Sequence, residues 1–282
     1  MTLKAAGYQR GAKIILALAW VAATAYAGHD SNVLVSDVLA ADMTARDVTV
    51  QFHSAERHQR VNLAGKDLSN LDLAGLDFKA AVLSKSNLYG ADLSAANLTG
   101  TDLSGAKLDR AIITKTDFSG ANMQAATIML SSVFSNTMFD YAEAPKFKGA
   151  NLRQARIACR MDGADFSGAD LSAARIGPDD HSSEAGMAPS SIMLGINFSG
   201  ATMTGTDIRE IDCTFCHFAG AKLTGAKLIH VDLSRADFSG ADVTDADFSR
   251  SNLEGANLSG IKGFETVKGL ASVRNLETAQ RQ

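Results

Sequence analysis

Residues 231–260 read VDLSRADFSGADVTDADFSRSNLEGANLSG, and within them an apolar residue returns at every fifth position: Leu233, Phe238, Val243, Phe248, Leu253 and Leu258. The same spacing extends upstream without a break to Met193, and an earlier series runs from Leu63 to Met138. Between them Phe147, Leu152 and Ile157 keep the period, and Met161, Phe166, Leu171 and Ile176 continue it after a slip of one residue. The three series hold 16, 7 and 14 units. A period of five fits neither the 3.6 of a helix nor the 2 of a strand. The chain must therefore turn a corner every five residues.

Two residues before each central apolar position sits a small one, such as Ala91, Ala106 or Ala121, followed by Asp or Asn. The unit reads A-(D/N)-L-(S/T)-G. The central Leu or Phe and the preceding Ala can both point inward, while Asp, Ser and Gly take outward and turn positions that suit them. Alternating small and large side chains fill a narrow tube densely. A composition that is 46% hydrophobic but only 6% aromatic, with three prolines and 24 glycines, fits a core built by repetition.

The unit is seen as Ala169-Asp170-Leu171-Ser172-Ala173 and as Ala236-Asp237-Phe238-Ser239-Gly240, and it resembles the pentapeptide-repeat family over about residues 61–261. That resemblance implies an all-β fold, a right-handed quadrilateral β-helix with four units per coil and about nine coils. At ~4.8 Å per coil the rod would be roughly 45 Å long. It says almost nothing about function.

The first 27 residues read as a signal peptide: Lys4, Arg10 and Lys13 precede an apolar run from Ile14 to Ala23, and Ala25-Tyr26-Ala27 offers a cleavage site before Gly28. The run is too short and alanine-rich for a stable membrane span, which needs about 20 apolar residues. Cleavage leaves 24 cations against 31 carboxylates, a net charge of −7. No run or stripe of Lys and Arg is visible along the chain, which argues against nucleic acid and anionic membranes as partners.

Residues 28–60 are expected to cap the first coil, with a helical stretch around Ser36 to Met43 and a strand through Val48, Val50 and Phe52. The repeat domain spans 61–262, interrupted near 139–146, where Pro145 marks a bulge or corner, and at 177–190. The second break carries Asp179, Asp180, His181 and Glu184 and reads as a solvated loop, since no calcium or zinc spacing is present. Residues 263–282 form a C-terminal cap or helix, from Phe264, Val267, Leu270, Val273 and Leu276 at spacings near three. Such ends protect the open edges of a solenoid.

One chemical motif stands out. Cys213-Thr214-Phe215-Cys216-His217 matches C-x-x-C-H, the attachment sequence for c-type haem, in a chain with an export signal. In the repeat frame Cys213 falls at a central inward position, Cys216 at the inward Ala position and His217 outward. Two readings follow: a cofactor site at Cys213, Cys216 and His217 with Met203 or His230 as second axial ligand, or core thiols joined locally or free. Cys159 lies two coils away, on the order of 10 Å, too far to bridge to the pair. His53 and His58 beside Glu56 belong to a polar segment, and no P-loop, G-x-S-x-G, H-E-x-x-H or dinucleotide fingerprint occurs.

These observations favour a non-enzymatic scaffold, periplasmic or secreted, with no catalytic residues, no cofactor and no metal. It would bind an unidentified protein partner and be a monomer or a homodimer through its C-terminal end. Two alternatives are carried. One is a DNA-mimicking gyrase-binding protein, the activity of some family members, which requires the chain to be cytosolic and is opposed by outward Lys107, Lys115, Lys222, Lys227 and Arg235. The other is a periplasmic haem or redox protein built on the cysteine motif.

Overall fold

At a regular corner the Asp or Asn before the central apolar residue accepts, through Oδ1, the N–H two residues on. Ser94 N–H donates to Asp92 in this way (2.9 Å) and Ser239 N–H to Asp237 (3.0 Å). This Asx turn explains the D/N position. The next residue then takes a left-handed backbone, as at Gly240 (φ +65°), and so the unit ends in glycine. Serine or threonine adds a hydroxyl bond: Thr244 donates to Asp242 Oδ1 from its hydroxyl (2.6 Å) and its N–H (3.0 Å).

Those bonds, the hydroxyl first, hold the Asp242 carboxyl below its ordinary value of 3.8. A carboxyl depressed on folding adds stability above its unfolded value, and that stability is lost as pH falls through the folded value. Asp242→Asn keeps the accepting Oδ1 and loses the titration. Its midpoint of thermal unfolding is therefore expected to fall less steeply than the parent's when followed from neutral to strongly acidic pH.

The structure, a computed structural model, describes residues 41–56, 59–133, 140–178 and 191–281. The expected signal peptide, the start of the helix placed around Ser36, Met138, His58 and the charged loop Asp179, Asp180, His181 and Glu184 lie outside these residues. Within them the chain is a parallel β-solenoid. Asn62 pairs with Val82, Val82 with Asp102 and Asp102 with Asn122, always in parallel and always twenty residues on. Four five-residue units therefore separate stacked positions. The register lengthens to 29 residues between Asp117 and Lys146, shortens to 19 between Lys146 and Asp165, and lengthens to 32 between Asp165 and Asn197. The breaks seen in the sequence are thus insertions on an otherwise continuous ladder, and the slip before Met161 is one residue lost from a turn.

Most rungs are single bridges. Extended pairing occurs in one five-stranded parallel sheet, ordered β1 (Thr127–Met129), β2 (Arg156–Ala158), β3 (Arg175–Ile176), β5 (Asp207–Arg209) and β7 (Lys227–Ile229), and in a two-stranded sheet of β4 (Ser191–Ile192) and β6 (Ile211–Asp212). All five strands of the larger sheet stack in one column of the solenoid.

The interior is side chain throughout. Central Leu, Phe, Ile and Met and the Ala between them are almost wholly buried. Six phenylalanines, Phe118, Phe147, Phe166, Phe198, Phe218 and Phe238, stack down one column at centroid spacings of 4.5–5.3 Å. Outside, Asn side chains bridge successive rungs, as from Asn87 Nδ2 to Asp67 Oδ1 (2.9 Å) and from Asn257 Nδ2 to Asp237 Oδ1 (2.9 Å).

Both ends depart from the sequence expectation. Val48, Val50 and Phe52 lie on a helix, α1 (Ala45–Ser54), and not on a strand. Thr44 caps it and Asp47 completes a capping box. Val48 and Phe52, four apart, face the first coil, where Phe52 meets Phe78 edge-on at 5.2 Å, while Val50 is exposed. The alternation was one helical face with an unrelated valine between. Asp42 backs this cap by pairing with the edge at Asp67 through its N–H (2.8 Å) and its carboxylate (2.9 Å).

At the other end no α-helix forms. Residues Phe264–Thr266, Leu270–Ser272 and Leu276–Thr278 are single 3₁₀ turns, and Lys262, Lys268, Arg274 and Gln280 pair with the coil beneath. The unit has grown to six residues, Gly-Phe-Glu-Thr-Val-Lys from Gly263 and Gly-Leu-Ala-Ser-Val-Arg from Gly269. Its hydroxyls accept amide N–H groups left at the edge: Asp245 donates to Thr266 (2.7 Å), Arg250 to Ser272 (2.9 Å) and Gly255 to Thr278 (2.9 Å). The solenoid seals its own edge by changing period.

Candidate functional site

The five strands of the larger sheet make no Asx turn at their first outward position. At that position stand Thr127, Arg156, Arg175, Asp207 and Lys227, in direct register. Arg and Lys have no acceptor to offer the N–H two residues on, and at these positions the Asx turn is missing. Elsewhere in the column the missing bond is replaced: Asp109 accepts the Met129 N–H (3.0 Å) and the Thr127 hydroxyl (2.9 Å). Asp207 turns instead to Arg209, accepting from Nε (2.5 Å) at Oδ1 and from Nη2 (2.9 Å) at Oδ2.

The outcome is a cationic band on one face: Lys107, Arg156, Arg175, Arg209 and Lys227, across six consecutive rungs and roughly 24 Å. Here the expectation that no basic stripe occurs is corrected. Successive cations of the band are 18 to 49 residues apart in sequence, and only the stacking of turns aligns them. A cleft of about 220 Å³ opens on the band, bounded by Arg175, Gly177, Pro178, Asp207, Arg209 and Lys227.

The cysteine motif is arranged differently from a haem site. Cys213 and Cys216 form a disulfide and both are buried, while His217 is on the exposed side of the next unit. Joined to each other, the two sulfurs have no valence for thioether bonds. Met203 is buried two units back in the tube and His230 is exposed at a corner of the following turn, so neither is placed as an axial ligand. Cys159 is free and buried, and burial pushes its thiol up to about 12. Among the described residues no group of three or more His, Cys, Asp or Glu is positioned to hold a metal, and no helix is long and apolar enough to cross a membrane.

A second surface feature was invisible in sequence. Tyr141, 60% exposed, lies across Gly163, where a Cβ would meet its ring at 2.4 Å, and reaches toward Gly195. Phe215, 49% exposed, occupies the adjoining corner on the disulfide loop, with the Arg235 guanidinium 5.4 Å over its ring. Below this corner Asp162 is buried. Burial raises its carboxyl, and Arg160 Nε (2.7 Å) and the Leu194 N–H (3.0 Å) oppose that rise.

A filled tube with ordered outer ladders defines the class: a parallel β-solenoid that offers its surface, not an interior. The chain carries pentapeptide repeats: the family model described as pentapeptide repeats matches it in eight copies over residues 86–124, 196–235 and 232–262. Among solved structures it is similar to HetL, a pentapeptide repeat protein involved in heterocyst differentiation regulation from the cyanobacterium Nostoc, at 22% identity, covering 84% of this chain and 94% of that chain with a TM-score of 0.43. It is similar also to Rfr23, a pentapeptide repeat protein from the cyanobacterium Cyanothece, at 20% identity, 44% and 91% coverage and a TM-score of 0.32. A third is QnrB1, a plasmid-mediated fluoroquinolone resistance protein, at 16% identity, 79% and 90% coverage and a TM-score of 0.23. No curated protein matches the chain.

Proposed function

We propose that this protein is a non-enzymatic, protein-binding scaffold of an exported compartment, a right-handed quadrilateral coil of about nine turns released from its leader after Ala27. The observation that carries the binding part is the contrast between inside and outside. Core positions are filled by Leu, Phe and Ala with no room for a substrate, while the outer faces are held rigid by Asx turns and Asn bridges and carry distinct charge patterns. A rigid surface binds a partner with little ordering cost. The four-unit register supports the quadrilateral form, and the leader-like residues 1–27 support export. The C-terminal coil also presents partly buried Ile261, Phe264, Leu270 and Leu276, the face through which a homodimer would form.

The gyrase-binding alternative calls for a negative surface resembling DNA, and the cationic band is the reverse of one. Intact mass of the protein recovered from the exported fraction of its native host, with alkylation under denaturing conditions, tests the reading. The expected species begins at Gly28 and takes one alkyl group without reductant, at Cys159, and three with it. A species beginning at Met1 in the cytosol would sink export, and an added haem mass would sink the disulfide assignment.

A further inference from the structure

We infer that the cleft beside Gly177 is a binding site for carboxylate side chains of an acidic protein segment, a proposal that rests on the protein-binding reading above. Arg175 and Lys227 stand at the same outward position two rungs apart, separated by about 10 Å of backbone. Both are exposed, and among the described residues neither has an ion-pair partner. The rung between them carries Asp207, whose two oxygens are already engaged by Arg209. Its charge is neutralised on the spot and does not compete for the outer cations.

The recess itself follows from Gly177. In the column's second outward position Met129, Ala158, Gly177, Arg209 and Ile229 succeed one another, and the glycine leaves a gap in that row. A side chain cannot replace it: φ is +124° and a Cβ would come 2.2 Å from the Arg209 carbonyl oxygen. Cations therefore line one side of a notch, with Met129, Ile229 and the 48% exposed Leu130 forming an apolar border along the same face.

The shape and charge select the ligand. An extended peptide laid along the rod presents same-side residues ~6.8 Å apart, so two carboxylates on one side of it reach Arg175 and Lys227 together. A nucleic-acid strand fits less well, because the band is one column wide, Glu210 flanks it, and the whole chain is net −4.

Titration of the full chain, disulfide intact, with a hexaglutamate peptide tests this. Binding that weakens with added salt is expected, with an order-of-tenfold loss in the double variant Arg175→Glu, Lys227→Glu. The same reversal at Lys85 and Lys148, on other corners, should leave affinity unchanged, and thermal unfolding should match the parent in both. Equal loss in the control variant, no binding to hexaglutamate, full competition by inorganic phosphate, or tighter binding of a single-stranded oligonucleotide would each overturn the proposal. A native partner that is captured equally by the parent and by the Arg175, Lys227 variant would overturn the cleft alone and leave the scaffold reading in place.

Discussion

Phe166→Ala is expected to lower the free energy of unfolding by about 3–5 kcal/mol. Phe166 is 1% exposed and stacked between Phe147 at 4.5 Å and Phe198 at 5.3 Å. In a globular core the neighbours of a deleted ring can relax into the space. Here they cannot, because each is pinned to its own rung by ladder bonds such as Phe147 N–H to Asp165 O (2.7 Å) and Phe166 N–H to Asn197 O (2.8 Å). The void should therefore persist. Phe166→Leu is the informative companion: Leu98 and Leu258 occupy the same column, so leucine fits its geometry and should cost about 1 kcal/mol. Chemical denaturation of both variants checks this, and equal losses would mean that the stack is not what the column depends on.

Gly269→Ala is expected to cost roughly 2–4 kcal/mol and to open the C-terminal edge. An added Cβ would lie 2.1 Å from Ser249 Oγ and 2.7 Å from both its N and Cα, so backbone must move. Gly220→Ala isolates the conformational part: its φ is +64° and nothing lies within 4 Å of the new Cβ. About 1 kcal/mol is expected there. The difference between the two measures the close approach of the six-residue coil. Displacing that coil frees the Arg250 N–H from the Ser272 hydroxyl, so hydrogen exchange at 245–255 should accelerate in Gly269→Ala and not in Gly220→Ala. Size-exclusion chromatography should show self-association through the exposed edge. Unchanged exchange would show that the cap is not held by this contact.

The two ends and the cysteine motif show how far local pattern carries. Thr44 followed by Asp47 is a capping-box pair, and Val48 with Phe52 a helical spacing, yet the alternation through Val50 reads equally well as a strand; contact with Phe78 decides between them. In the C-terminal segment, apolar spacings near three arise because two positions of a six-residue unit, Phe264 and Val267, then Leu270 and Val273, face the coil below. A three-residue spacing in sequence is helix-like; only pairing of Lys268 with Asp247 and Arg274 with Asn252 makes it a coil. For Cys213 and Cys216 the repeat frame marked both as inward, and their proximity across one corner, Cα to Cα 5.4 Å, places the sulfurs together.

What the residues alone determine is the architecture of the middle: a five-residue period, inward Leu and Ala, and Asp or Asn beside a glycine corner. Each of these is a local rule satisfied within one unit, by an Asx turn and a left-handed residue, and is legible wherever the unit occurs. What only the tertiary structure decides is everything that depends on stacking. The phenylalanine column, the sealed C-terminal edge and the cationic band all join residues about one turn or more apart in sequence, and the two insertions shift which residues meet. Arg156, Arg175 and Lys227 form one surface because the ladder between them has registers of 19, 32 and 20 residues, a sum no reading of the chain in one dimension displays.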